Sequence, residues 1–148
     1  MTLQNLVGIS LEPIEPDWHA IQRLLAAAER NMADAQIPVL STENRFDAAY
    51  KAIMQMAMLA LQAHGFRTLT SKPGHHQTAI QSLAHTLQLP ADRLWLLDAL
   101  RKQRHLTDYS GDLVAESAAS ACLQQARLLH ADLAIWIGTH GPGRSQNP

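Results

Sequence analysis

The chain has 148 residues, with 47% hydrophobic and 17% charged side chains and a formal net charge of −1. That length suits one domain, able to bury about two thirds of its unfolded surface. Near-neutrality excludes a generally basic nucleic-acid-binding domain, whose cations must neutralise phosphates, so any RNA contact needs a local patch; the low charged fraction points to a buried oligomer face.

Residues 1–15 contain Pro13, show no clear period, and lack the basic start and long apolar run of a secretory signal. They read as a loosely packed leader of an intracellular, cytoplasmic protein. The lone Cys122 can form no disulfide within the chain and fits a reducing compartment. Pro16 and Asp17 suit a first helical turn, since proline needs no donor there and aspartate favours the positive end of the dipole. Trp18, Ile21, Leu25, Ala28 and Met32 follow at steps of three and four, which predicts an amphipathic helix over 16–35.

Ser41 is placed as an N-cap, with Glu43 in the first turn of a second helix over 42–64. Phe46, Tyr50, Ile53, Ala57, Ala60 and His64 share one face, with Met54, Met58 and Leu61 beside it. Apolar over more than half its circumference, this helix is expected at the centre of the fold. Its most apolar stretch, 52–63, is too short to span a bilayer, which takes about 20 residues, so no membrane association is expected. Gly65 fits a left-handed stop, and 67–74 reads as a loop.

A third helix is predicted over 75–88, with Ile80, Leu83, Ala84 and Leu87 inward, ended by Pro90. A fourth runs from 91, with Leu94, Leu97 and Leu100 inward, and ends between Gln103 and Asp108. Asp112 is read as the cap of a fifth over 112–137 carrying Val114, Ala118, Ala121, Leu128, Ile135 and Trp136. Residues 138–148 read as a flexible tail. No strand alternation of four residues or more is present. The expectation is an all-α, antiparallel up-down bundle of about five helices over 16–137.

The densest polar run is Arg101-Lys102-Gln103-Arg104-His105-Leu106-Thr107-Asp108-Tyr109. On a continuous helix, Arg101 and His105 sit one turn apart, as do Arg104 and Asp108. Arginine beside histidine suits phosphodiester cleavage: the guanidinium binds phosphate in a fork, and imidazole moves the ribose hydroxyl proton near neutral pH. The commoner meaning of such a run is a solvated basic helix end. A second cluster, Gly74-His75-His76-Gln77, opens the third helix. Adjacent helical residues point about 100° apart and rarely ligate one ion together. With no carboxylate or cysteine at ligand spacing, no metal site is assigned, and the pair reads as loop or capping histidines. Cys122 reads as a small core residue, because no base is placed beside it.

The order of these features resembles the HEPN superfamily of small helical bundles. The matching pieces are Arg45-Phe46-Asp47-Ala48-Ala49-Tyr50-Lys51-Ala52, Gly65-Phe66-Arg67, Gly74-His75-His76, the Leu-Leu-Asp-Ala-Leu-Arg stretch at 96–101, the Arg104…Asp108-Tyr109 ending, and the alanine-rich last helix. The resemblance implies a homodimer of toxin–antitoxin or defence systems. Many members are metal-independent ribonucleases whose Arg-x(4–6)-His motifs face each other across the dimer seam. Others lack the histidine and act as binding or assembly domains, some with a small nucleotidyltransferase as antitoxin partner. Here the fifth position after Arg104 is Tyr109, and His105 follows Arg101 after only three residues. The segment therefore looks like the Arg-x(4)-Tyr ending of some branches.

The resemblance carries over Arg104 most directly, Asp108 and Tyr109 as the branch-type ending, and His105 by proximity; together with the polar run itself this makes Arg104, His105 and Arg101 the candidate catalytic residues and Tyr109, Asp108 and Lys102 candidate binding residues, with no cofactor. Three readings follow: an RNA-cleaving or RNA-binding homodimer; a non-catalytic homodimer that binds a partner protein; and a small-molecule site lined by the methionines and Tyr50.

Overall fold

The computed structural model describes residues 2–142. Five helices, α1 (Trp18–Asp34), α2 (Thr42–Ala63), α3 (His75–Thr86), α4 (Ala91–Ser110) and α5 (Glu116–His140), form the expected all-α antiparallel bundle. Part of the tail expected over 138–148 is helical, since α5 runs to His140; the rest, from residue 143, lies outside the described residues.

Local chemistry sets most helix starts. The Asp17 carboxylate accepts the Ala20 N–H at 3.2 Å, which makes it the N-cap of α1 rather than a first-turn residue. Ser41 caps α2, its Oγ accepting the Asn44 N–H at 3.1 Å. Around α2 sits the core: Phe46, Ala49, Tyr50, Ile53, Met56, Ala57, Leu59 and Leu61 are all buried. α1, α3 and α5 each pack against it. That environment explains its near-continuous apolar surface, because neighbours cover it on several sides.

One expectation fails at the start of the chain and one just after α2. The leader is not loose: Leu3–Leu6 forms a 3-10 turn, Leu11 is fully buried, and β1 (Leu11–Pro13) pairs antiparallel with β2 (Phe66–Thr68). Glu12 and Arg67 oppose each other in the ladder and form an ion pair. Three-residue strands are too short to show alternation, so sequence pattern alone leaves them as leader and loop. Gly65, at φ +88°, turns the chain from α2 into β2, and the Ile14 N–H donates to its carbonyl at 2.8 Å.

The closing helix also departs from expectation. Gly111, at φ +71°, ends α4; residues 111–115 are non-helical, and α5 begins at Glu116 rather than 112. The Arg45 guanidinium holds that start against α2 through two 2.7 Å hydrogen bonds to the Glu116 carboxylate. The buried face of α5 is Ala119, Cys122, Ala126, Leu129 and Leu133. Of the residues expected inward, Val114 is buried in the connector, but Leu128 and Ile135 are 40% and 72% exposed. α5 carries apolar residues on opposite sides, so periodicity identifies the helix without choosing the side that packs.

α4 continues to Ser110 and so carries the whole polar run on one helix. Leu97 and Leu100 are buried, while Trp95, Leu96 and Leu106 are exposed. Among the described residues, no helix is long and apolar enough to cross a membrane.

Candidate functional site

A cleft of about 320 Å3 brings together the two polar clusters that lie far apart in sequence. Its walls are Tyr50 from α2, Gly74, His75, His76 and Gln77 at the start of α3, and Arg101, Arg104, His105, Asp108 and Tyr109 from α4. Continuation of α4 past Gln103 creates it: Arg101, Arg104, His105 and Asp108 recur at steps of three and four and share a face. Of the sequence-derived candidates, only Lys102 is left outside; its Nζ lies 3.4 Å from Asp98 Oδ2.

The two arginines are held differently. Arg101 Nε donates to Asp98 Oδ1 at 2.7 Å. Burial pushes the Asp98 carboxyl up, but the Arg101 hydrogen bond and charge, with help from Lys102, hold it below the ordinary carboxylate value. Arg104 is looser: Nε lies 3.5 Å from Asp47 Oδ1 and Nη1 3.6 Å from Asp108 Oδ2. The Nε is itself buried and makes no hydrogen bond. The buried Nε is out of reach of a ligand, but a guanidinium held only by long ion pairs keeps donor capacity on its Nη groups for an incoming anion. Burial lifts the Asp47 carboxyl above its ordinary value despite the opposing pull of Arg104, with Asp108 adding to the rise. Arg101, Lys102 and Arg104 face an equal number of carboxylates, Asp47, Asp98 and Asp108, so the attraction for an anion comes from open donors and not from excess charge.

Tyr50 forms the floor. Only 2% exposed, it lies under the Arg104 guanidinium, 5.1 Å from ring centroid to Cζ, and its hydroxyl is 3.3 Å from His76 Nδ1. Burial pushes its phenol up to about 12, so the ring stays uncharged at neutral pH. Burial also lowers His76, reinforced by His75, Arg104 and Arg101, so this imidazole stays neutral more readily than a free one. Its ring meets His75 edge-on at 4.7 Å.

At the start of α3, Gly74 adopts a left-handed conformation (φ +80°) and supplies no side-chain cap. The first main-chain bond there is Thr78 N–H to Gly74 C=O. The N–H groups of His75, His76 and Gln77 therefore make no helical bond, and they lie at the positive end of the dipole beside the cleft. His75 and His76, read from the sequence as loop or capping histidines, are the first two residues of the predicted third helix and line the cleft.

His105 and Tyr109 are exposed along the α4 wall, their rings 4.8 Å apart; Tyr109 is 82% exposed. A neighbouring depression of about 350 Å3, lined by Met54, Gln55, Met58 and Lys51, shares Tyr50, His76 and Arg104 with the cleft. Asp47 and Asp98 are contributors that sequence reasoning missed. The i,i+3 spacing of Asp98 to Arg101 was a usable signal; nothing local links Asp47 to Arg104. Cys122 takes no part: it is fully buried, its Sγ lies 3.8 Å from the Phe46 carbonyl, and burial pushes the thiol up to about 12. Among the described residues, no group of three His, Cys, Asp or Glu could hold a metal ion.

Fold and cleft together define the class of the molecule, a small all-α bundle with an arginine–histidine cleft between three of its helices. No family model, curated protein or solved structure matches the chain.

Proposed function

We propose that the protein is a HEPN-like domain that engages the phosphates of RNA or a nucleotide, with metal-independent cleavage of RNA as its reaction. The observation that carries this reading is the convergence of Arg101, Arg104 and His105 with His75 and His76 in one cleft, beside an uncapped helix start. Arg104 supplies open guanidinium donors for a phosphate, and the main-chain N–H groups of α3 add to them. The imidazoles of His75, His76 and His105 supply candidate proton-transfer groups. The methionine-lined depression against Tyr50 gives an apolar surface next to the phosphate donors, which suits a base attached to that phosphate. The test is incubation of the protein with mixed single-stranded and structured RNA in the presence of chelator, beside Arg104→Ala. Cleavage by the parent and none by the variant is the expected result; equal cleavage by both removes the reading.

A second reading has its own support: a non-catalytic homodimer, or the partner of a nucleotidyltransferase-like antitoxin. Trp95, Leu96 and Leu106 on α4, Leu113 after it, and Leu128 and Ile135 on α5 are exposed and available to a protein partner. That reading also requires Arg104, Asp108 and Tyr109 to be spent in structural hydrogen bonds, and the exposed Tyr109 and loosely held Arg104 weigh against it. Sedimentation of the purified protein tests the dimer: a monomer at micromolar concentration removes it.

A further inference from the structure

We infer that His76, positioned by Tyr50, is the proton-accepting residue of the cleft, with His105 on the facing helix as proton donor. This rests on the proposed RNA-cleaving reading and deepens it. The polar run on α4 has no histidine at the fifth position after Arg104, where Tyr109 stands. The fold supplies an imidazole to the same cleft from elsewhere, because the start of α3 lies against the end of α4. Of the three imidazoles there, His76 alone has a buried hydrogen-bonding partner: Tyr50 Oη, 3.3 Å from Nδ1. With the Nδ1–H donating to that oxygen, the lone pair on Nε2 is free to take a proton, as an oriented base requires. Tyr50 also lies under Arg104, so one buried side chain fixes both the phosphate-holding guanidinium and the base.

The step balances without another reactant. His76 Nε2 takes the proton of a ribose 2′-hydroxyl as the 2′ oxygen bonds to phosphorus. The bond from phosphorus to the 5′ oxygen breaks, and the protonated His105 imidazole gives that oxygen its proton. The products are a 2′,3′-cyclic phosphate and a 5′-hydroxyl, and Arg104 offsets the charge that gathers on the phosphoryl oxygens. The groups around His76 are Tyr50 on α2, His75 on α3, and Arg101, Arg104, His105, Asp108 and Tyr109 on α4. Burial first, and then His75, Arg104 and Arg101, favour its neutral form, which places the ascending limb of the rate–pH profile below that of a free imidazole.

The experiment follows cleavage of a fluorophore-labelled oligoribonucleotide in chelator by the parent, His76→Ala, His76→Gln, His105→Ala and Tyr50→Phe, with thermal unfolding of each variant measured alongside. His76→Ala and His76→Gln are expected to lose about 100-fold or more in kcat with KM little changed. Tyr50→Phe is expected to lose about 10-fold in kcat and to move the ascending limb to lower pH, a shift that a purely structural role would not produce. If the parent cleaves and both His76 variants keep kcat within about threefold of it, this inference is overturned while the proposed function stands. If the parent leaves the RNA intact, the cleavage reading and this assignment fall together.

Discussion

Tyr50 stands on α2 and His64 caps its C-terminal end, about 21 Å further along the axis, and each borders a cleft containing three histidines. The clefts share residue types and differ in what those residues do. At the Tyr50 end, imidazoles face a loosely paired arginine and free main-chain donors. At the His64 end, a wider cleft of about 590 Å3 is lined by His64, His85, His140 and Trp136. There, His64 and His140 both stack on Trp136 with centroids 4.6 Å apart, and each Nδ1 is engaged with a main-chain carbonyl one turn back. The nearby cation, Arg93, is paired with Asp132 through Nη1, while its buried Nε and Nη2 make no hydrogen bond, and it does not line the cleft. Imidazole count therefore does not set the two ends apart; the arginine in the cleft wall, held only by long ion pairs, and the main-chain N–H groups beside it do.

The largest test of this contrast is in rate. Arg104→Ala is expected to slow RNA cleavage about 100- to 1,000-fold, as loss of a transition-state donor does, while Arg93→Ala stays within about twofold of the parent. Initial rates taken well below both melting temperatures decide it, and equal losses would erase the distinction between the two ends. In stability the order reverses. Arg93→Ala leaves Asp132 without its partner and is expected to cost about 1–2 kcal/mol in urea unfolding, allowing for the partial exposure of the pair. The loosely held Arg104 is expected to cost less than about 1 kcal/mol.

Smaller effects compare the two ends of α2. Gly65→Ala forces an alanine into φ +88° and is expected to cost about 1–2 kcal/mol. Ser41→Ala removes the cap at the other end and is expected to cost about 1 kcal/mol. Urea midpoints at constant m-value measure both.

The smallest effect is in pH. His76 is held below its ordinary value of 6.5, so the folded state binds its proton less readily than the unfolded state does. Its contribution to stability is therefore intact above about 6.5 and is lost as pH falls through that value toward the folded one. His76→Gln should flatten that fall relative to the parent in urea titrations across the mildly acidic range. An unchanged slope would show that His76 titrates alike in both states.

Much of the architecture was legible in the sequence because it is local. Ser41 caps the helix it precedes, Gly65 ends that helix, and the period of three and four locates α1 through α4 and the buried side of α2. Burial of Cys122 among alanines was likewise readable, since a small apolar residue on an apolar helix has few other places to go. The polar half of the candidate site was legible as well, once Arg101, Arg104, His105 and Asp108 were placed on one helix.

What the sequence by itself determined is thus the set of helices and most of their caps; what only the tertiary structure decided is which faces meet. α5 is apolar on two sides, and packing on α2 selected Cys122 and Leu129 over Leu128 and Ile135. Leu11 and Thr68 pair across a distance that no local pattern reports. His76 reaches Tyr50 from 26 residues away, and the α4 arginines come from farther along the chain. The physical reason is common to all three: periodicity records how a segment meets water and apolar surroundings, whereas a contact between segments depends on how whole faces pack.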